Sequence, residues 1–389
     1  MQTRNRDLAM KKQIHHLPVN WIDGMKINKE HFIATDKSVS NQVINTYEAF
    51  INPYNYGLIL QTSGNTKELN IVIDIDNQKF IHAKVYNCSA VTKGGIRIEI
   101  KNDFFSVDEL STAVPQIEVA SSELSESEYY LVLAIDTEQR IPYGVANPDE
   151  HPPRLPFVLP AYKLSIHSDQ NLESIKTDHS LIIGKLLFKD GSLQLDEEYI
   201  PPCQTIYSHP KLAEYHAQLV KVLGQIEIDL VSILKRVKEK KQSTTIALTV
   251  ADVIDSLLLF MSVNLVEFRK MAKFYPPIFI FEQMAAIARI VNNSVNKQAT
   301  TDREELLNYI EDWSNLKQGE FEELIAQTIE FKYDHDDINK SINHLAPFVN
   351  AISKICNTLS NLDFIGKKKD RQIFVKEQKE KPGSSFLVD

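Results

Sequence analysis

The stretch that decides the fold is YIPPCQTIYSHPKLAEYHAQLVKVLGQIEIDLVSILKRV, residues 199–237. Pro201 and Pro202 end a region of short strands, because proline interrupts both ladders and helices. After them, apolar residues recur at steps of three and four, the period of one helix face. They are Leu212, Tyr215, Leu219, Val222, Ile226, Leu230, Ile233 and Val237. This stripe of about three and a half heptads predicts a coiled-coil-like contact within a helical bundle.

Upstream of this stretch, the sequence has the pattern of an antiparallel β-sandwich over residues 1–206, including an N-terminal arm. Ile96, Ile98 and Ile100 alternate with charged residues, as in a strand with one buried and one solvated face. The other strand-like segments are β-branched or aromatic and are separated by turn residues: 57–62, 69–75, 80–87, 129–136 and 181–188. We expect the proline-rich residues 142–160 to form a long ordered loop around the sheet edge.

Downstream, long periodic segments with short connections predict an antiparallel α-helical bundle over residues 207–366. The expected helices cover 209–240, 248–273, 278–296 and 301–332, followed by one that ends near Gly366. Asp334 and Asp337 are the candidate caps of this last helix, because carboxylates satisfy free N–H groups at helix starts. The expected fold class is therefore α+β, in two parts. Residues 367–389 have the composition of a charged, flexible tail.

The composition excludes several function classes. The 389 residues carry a formal net charge of −9, so no overall basic field attracts nucleic acid. The three cysteines are far apart and have no metal-ligand spacing, which indicates a reducing compartment. The N-terminus lacks the apolar core of a signal peptide. The most apolar stretch, residues 254–265, is shorter than the roughly 20 residues that span a bilayer. We predict no metal, no cofactor and no membrane span.

Four segments carry a resemblance to a known family. The first is Trp21-Ile-Asp-Gly24-Met25 followed by His31-Phe32, and the second is Tyr199-Ile-Pro-Pro-Cys203. The third is Tyr275-Pro-Pro, and the fourth is Tyr333-Asp-His335-Asp-Asp337. In this order they resemble the TssK family of type VI secretion baseplate proteins. The residues between Met25 and His31 depart from the family pattern, as in a divergent, Bacteroidetes-like member.

The resemblance implies an architecture and a function. Proteins of this family are cytoplasmic trimers at the inner membrane. A β-sandwich "shoulder" holds the wedge proteins TssF and TssG, a helical "neck" forms the trimer, and a C-terminal "head" contacts the membrane complex. Here only residues 367–389 follow the last expected helix, so we expect a lost or minimal head, with the neck tip or the tail facing the membrane complex.

The resemblance also suggests site residues. The candidate wedge-binding residues are Trp21, Gly24, Met25, His31 and Phe32. The candidate trimer or bundle contacts are Leu212, Tyr215, Leu219, Val222, Ile226, Leu230 and Ile233, and the candidate hinge is Tyr199, Pro201 and Pro202.

Less specific interpretations remain beside these. The N-terminal residues can instead hold the arm onto the sandwich. The acidic run 334–337 suits a helix cap better than a metal site, since consecutive residues fan out around a helix start. The basic residues 367–371 can contact acidic lipids or simply be solvated. A phage-tail adaptor of related fold is the alternative function. We find no motif of catalytic residues, so an enzyme is not expected.

Overall fold

The computed structural model describes residues 16–60, 69–101, 114–314 and 316–366. Within them, antiparallel sheets precede a helical region, which confirms the two-part α+β fold. We refer to these parts as the β-rich half and the helical half. The predicted tail, residues 367–389, lies outside the described residues.

The β-rich half contains two antiparallel sheets. In the first, the central strand β3 (Phe80–Val91) pairs with β1 (Gly57–Leu58), β2 (Leu69–Ile75), β4 (Arg97–Ile100) and β5 (Gln116–Ala120). The second has the order β7-β6-β8-β9 and comprises β6 (Glu128–Tyr143), β7 (Phe157–Ser168), β8 (Ser180–Lys189) and β9 (Ser192–Leu195). Helix α1 (Lys29–Glu48) precedes the sheets, and α2 (Asp169–Ile175) lies between β7 and β8.

The core between the sheets follows the alternation in the sequence. Ile98 and Ile100 are fully buried while Arg97 between the buried positions is exposed, as predicted. Ile81, Ala83 and Val85 of the first sheet share one apolar cluster with residues of the second, among them Leu131, Leu133, Leu181 and Ile183. Burying such side chains contributes about 1.5–3 kcal/mol each, so this cluster is a major source of stability.

The helical half consists of α3 (Pro210–Glu239), α4 (Thr245–Met271), α5 (Ile278–Asn296), α6 (Thr300–Ser314), α7 (Gln318–Glu330) and α8 (Ile338–Ser360). Helix α3 packs against α4 and α8, and α5 packs against α4 and α7. Pro210 occupies the first turn of α3, where its missing N–H costs nothing. Thr244 caps α4 by accepting a hydrogen bond from the Ala247 N–H.

Several sequence predictions are wrong in their boundaries. The helix expected over 301–332 is two helices, α6 and α7. The proline-rich stretch is not a continuous loop, because β6 extends into it and β7 begins within it. Pro142 lies opposite Val158, and Pro160 lies opposite Arg140. At both positions the N–H of an ordinary residue would point away from the partner strand, so the ladder loses no hydrogen bond to proline. Helix α1 was not predicted from the sequence. Many of its apolar residues are exposed, so they do not form the single apolar stripe by which a helix is recognised.

Helix α4 also corrects the expectation for the apolar stretch. Residues 245–274 form one helical segment that is long and apolar enough to cross a membrane by length and composition alone. Its inner face, however, packs in the protein core through Ile254, Leu257 and Met261. The helix therefore combines a face buried in this chain with a solvent-exposed apolar face.

Candidate functional site

Three chain segments meet where the two halves join, and we call them together the junction: residues 56–58, 199–204 and 333–338. The Leu58 N–H donates to the Pro202 carbonyl at 2.8 Å, and the Gln204 N–H donates back to Leu58 at 2.7 Å. The Ile338 N–H, at the start of α8, donates to the Ile200 carbonyl at 3.2 Å. Backbone hydrogen bonds therefore connect both halves directly.

Gly57 permits the close approach of the first two segments. It has φ +108°, a conformation that L-residues with a Cβ rarely adopt. A Cβ at this position would lie 2.0 Å from the Pro202 carbonyl oxygen. The backbone of β1 thus lies against the Pro-Pro segment because residue 57 has no side chain.

The carboxylate of Asp336 organises the polar contacts of the junction. Its Oδ1 accepts from the Tyr56 hydroxyl at 2.6 Å, and its Oδ2 lies 2.8 Å from Lys176 Nζ on the β-rich half. The Asp336 backbone carbonyl accepts from the Tyr199 hydroxyl. Burial, reinforced by the Asp336 carboxylate, raises the pKa of Tyr56, so this hydroxyl remains a donor. Asp336, which lies just before α8, is thus bonded to three residues of the β-rich half.

His335 extends this network into the interior. Its Nε2 lies 2.9 Å from the Tyr56 carbonyl and its Nδ1 lies 2.9 Å from the Tyr333 hydroxyl. The ring packs edge-on against Tyr56 at 4.6 Å between centroids. Burial lowers the pKa of His335, which favours the neutral ring. A neutral ring with a proton on Nε2 satisfies both contacts, as a donor to the carbonyl and an acceptor from the hydroxyl.

The two predicted caps differ in their roles. Asp337 is the N-cap of α8, and its Oδ1 accepts from the Lys340 N–H at 3.0 Å. Asp334 does not cap the helix. Its Oδ1 accepts from the Asp336 N–H at 3.0 Å and so stabilises the turn before the helix. The prediction for Asp334 is wrong because α8 begins at Ile338, one turn later than the sequence pattern indicated.

The predicted hinge residues lie within the junction. Tyr199, Pro201 and Pro202 are all buried, and Tyr199 and Pro202 each carry one of the hydrogen bonds described above. Movement of the halves about this point would break those bonds. A hinge role for these residues stays a prediction, whereas the described contacts are those of a tight connection.

The predicted docking residues lie together at the protein surface, and we call Trp21, Gly24, Met25, His31 and Phe32 the N-terminal cluster. The Trp21 ring lies 6.0 Å from His31 and 6.4 Å from Phe32. Trp21 is 49% exposed and Phe32 is 60% exposed, while Met25 is half-buried. Gly24 makes the turn with φ +75°. The rings therefore contact each other but are not covered by the sandwich.

The predicted trimer residues face the interior of this chain. Five are buried and two, Tyr215 and Val222, are half-buried; the buried ones are Leu212, Leu219, Ile226, Leu230 and Ile233. They pack against other helices of the same chain, so they are bundle contacts here. A role for them between chains stays a prediction.

Helices α3 and α4 also carry exposed apolar residues that were not predicted from the sequence, and we call them the outer face. It comprises Ile228 and Val231 of α3 and Leu259, Val263 and Val266 of α4. Leu259 is 71% exposed and Val263 is 69% exposed. The helices that carry these residues pack against each other. The signal was present in the sequence, because Leu259, Val263 and Val266 recur at steps of four and three.

We next consider whether the described residues form a metal site or contain a reactive thiol. Among the described residues, no group of three or more His, Cys, Asp or Glu side chains is placed to hold a metal ion. The cysteines Cys88, Cys203 and Cys356 are buried and form no disulfide with one another, and burial raises the pKa of Cys88 and of Cys356 to about 12.

A comparison with known protein families gives one match within this chain. Residues 156–290 match the family model described as bacterial type VI secretion, VC_A0110, EvfL, ImpJ and VasE. The match covers about a third of the chain, and it includes residues 199–204 of the junction. It confirms the resemblance to a type VI secretion family that the sequence predicted. No curated protein matches the chain.

Solved structures with a similar fold include three of TssK. A crystal structure of TssK is 14% identical, with a TM-score of 0.49, over 91% of this chain and 71% of that one. TssK in a TssK-TssF-TssG baseplate subcomplex is 13% identical, with a TM-score of 0.47, over 87% and 99%. TssK from T6SS EAEC in complex with a nanobody is 11% identical, with a TM-score of 0.44, over 83% and 99%.

Proposed function

We propose that this chain is a structural subunit of a type VI secretion baseplate that acts by binding other proteins and not as an enzyme. The family match over residues 156–290 carries this proposal. The matched segment runs from the start of β7 into α5, so it includes strands β7 to β9, the junction segment 199–204, helices α2 to α4 and most of α5. The junction supports a structural role, because it bonds the β-rich half to the helical half through backbone and side chains.

We further propose that the chain forms a homotrimer through the helical half. The outer face supports this, since it gathers five exposed apolar side chains on two helices that pack together, and exposed apolar surface of this kind commonly marks a protein contact. The proposed contact therefore uses Ile228, Val231, Leu259, Val263 and Val266, whereas the stripe selected from the sequence holds the monomer together. Trimerisation would raise the effective concentration of weak sites on each copy.

Light scattering on the purified chain tests the trimer. We expect a trimer at micromolar concentration and a shift to monomer when Leu259 and Val263 are both changed to Ser. The matched control changes Val145 and Phe157 to Ser, since these exposed apolar residues lie on the β-rich half. A stable monomer of the unchanged chain would refute trimerisation. Equal dissociation by both double variants would refute the assignment to the outer face.

The β-rich half is proposed to bind TssF-like and TssG-like wedge proteins through the N-terminal cluster. Its exposed tryptophan and half-buried methionine are residue types enriched at protein interfaces. One of the similar structures is that of TssK in a baseplate subcomplex with TssF and TssG. Co-purification with the wedge proteins of the same organism is the test. Changing Trp21 and Met25 to Ala should reduce recovery, whereas changing exposed Val145 to Ala should not. Unchanged recovery would remove the cluster from the binding site.

A cytoplasmic location at the inner membrane follows from this proposal. Contacts with the membrane complex would then come from the end of the helical half remote from the junction, or from residues 367–389. Affinity purification from the native organism, followed by mass spectrometry, would identify that partner.

A further inference from the structure

A groove of about 700 Å³ lies between helix α1 and the outer part of the β6–β7 hairpin. Its apolar lining includes Ile44 of α1, Ile96, Ile135 of β6 and Leu159 of β7. Polar side chains, mostly from α1 and β6, complete the lining. The volume is within the range of roughly 300–1,000 Å³ that is typical of binding pockets. Arg140 Nη1 lies 3.4 Å from Asp36 Oδ2, so one ion pair connects the two walls.

The β6 wall of the groove is an open strand edge. The ladder between β6 and β8 ends at Ala134↔Ser180, whereas the β6–β7 ladder continues to Tyr143↔Phe157. Beyond residue 135, no strand among the described residues pairs with β6 on the side of β8. An edge of this kind is where extended polypeptides add to a sheet.

The prolines of the hairpin determine which backbone groups point to that edge. Pro160 pairs with Arg140, and Pro142 pairs with Val158. Since proline has no N–H, neither pair can exchange two hydrogen bonds, and the ladder bonds fall on the neighbouring pairs instead. The Arg140 N–H and the Arg140 and Pro142 carbonyls therefore point away from β7. They offer one donor and two acceptors to an added segment.

The segment closest to this groove along the chain is the N-terminus itself. His16, the first described residue, already lines the groove, and residues 1–15 precede it. The groove extends along α1 from Asp36 to Glu48, a length of about 18 Å at 1.5 Å per residue. Five or six extended residues cover that length at about 3.3 Å each, and residues 10–15 are the six before His16.

The sequence of residues 10–15, MKKQIH, suits such a position. In an extended conformation alternate side chains face opposite sides, so Met10, Lys12 and Ile14 share one face. Met10 and Ile14 would contact the apolar residues that line the groove, and Lys12 between them would lie near its carboxylates. Charge agrees as well: residues 1–15 contain Arg4, Arg6, Lys11 and Lys12 against the single acid Asp7. The groove is lined by the carboxylates of Asp36, Glu48 and Asp136 against two cations, Lys37 and Arg140.

We propose that residues 10–15 of this chain occupy the groove as an extended segment along the open edge of β6, with Met10 and Ile14 facing its apolar lining. The segment would hold the start of the chain between α1 and the hairpin. It would thereby fix the position of the N-terminal cluster, which begins only five residues after His16. This inference does not depend on the baseplate function.

Thiol labelling of the full-length chain tests the proposal. Val158 lines the groove, whereas its neighbour Phe157, 65% exposed, does not. The native cysteines are buried and should stay silent. In a Val158→Cys chain, changing Met10 and Ile14 to Asp should weaken binding of the segment in the groove and so expose the thiol. We expect the maleimide labelling rate to rise at least about tenfold, which corresponds to a loss of about 1.4 kcal/mol in the free energy of segment binding. In a Phe157→Cys chain, the same two changes should leave the rate unaltered. Equal labelling rates of the Val158→Cys chain with and without the aspartates would overturn the proposal.

A disulfide identifies the chain that supplies the segment. A chain with Ile14→Cys and Gln139→Cys, a β6 residue that lines the groove, should form an intramolecular disulfide under mild oxidation, at monomer mass on a denaturing gel. Ile14→Cys with Glu214→Cys, an exposed position on α3, is the control and should not cross-link. A covalent dimer in place of the intramolecular product would overturn the same-chain assignment and give the groove to the arm of a neighbouring copy.

Discussion

Replacing Asp336 by alanine should weaken the junction by an amount that the structure defines. The change removes the acceptor of the Tyr56 hydroxyl and the partner of Lys176, but it leaves the backbone carbonyl that accepts from Tyr199. A hydrogen bond to a charged group contributes about 1.5–3 kcal/mol. A partly exposed ion pair adds at most about 1 kcal/mol. We therefore expect a loss of about 2–4 kcal/mol in the free energy of unfolding, measured by urea denaturation.

A double-mutant cycle separates this contact from general damage. Tyr56→Phe removes the same hydrogen bond from the other side, so we expect it to cost about 1.5–3 kcal/mol. The double variant should then cost less than the sum of the two single variants by about 1.5–2 kcal/mol, because the shared bond is lost only once. Glu173→Ala is the control, since it removes the other, solvent-exposed partner of Lys176. Additive losses, within about 0.5 kcal/mol, would refute the idea that Asp336 and Tyr56 act together.

The remaining predictions concern pH and backbone geometry. Burial lowers the pKa of His209 to about 4 and also lowers the pKa of His335. In the unfolded chain both take up a proton near pH 6.5. The free energy of unfolding should therefore fall as the pH is lowered from about 6.5 towards 4. His209→Gln should make this fall smaller, which urea titrations at several pH values would measure. The same dependence on pH in the variant would contradict the role given to His209. Gly57→Ala should cost more than about 3 kcal/mol or prevent folding, because its Cβ would overlap the Pro202 carbonyl at a positive φ. A soluble variant with an unchanged unfolding midpoint would contradict the account of the junction.

The fold was predictable from the sequence where one periodicity dominates. Ile96, Ile98 and Ile100 alternate strictly, and the strand they predict is present with its apolar face buried. The helix over 278–296 was predicted with its observed bounds, because Pro276 and Pro277 mark its start. Helix α1 and strand β7 were missed for the opposite reason. The first exposes much of its apolar surface, and the second lies in a proline-rich stretch whose prolines occupy positions that need no N–H.

The candidate surfaces were predicted less completely than the fold. Within the N-terminal cluster the Trp21 ring contacts His31 and Phe32, and the binding role of the cluster stays a prediction. The stripe from Leu212 to Ile233 was recognised, but periodicity cannot tell a face that packs inside one chain from a face that packs between chains. Only the tertiary structure shows that other helices of the same chain cover it, and that the outer face remains open.

By itself, the sequence determined the two-part architecture and the resemblance to a type VI secretion family. These properties depend on local pattern: the strand period before residue 206 and the helical period after it. The tertiary structure alone decided how the boundary is held, because Tyr56, Lys176 and Asp336 are far apart along the chain and meet only after the helices return to the sheets. No local pattern encodes such a meeting. The junction is therefore a property of the folded chain, while the halves that it joins can be predicted from the sequence.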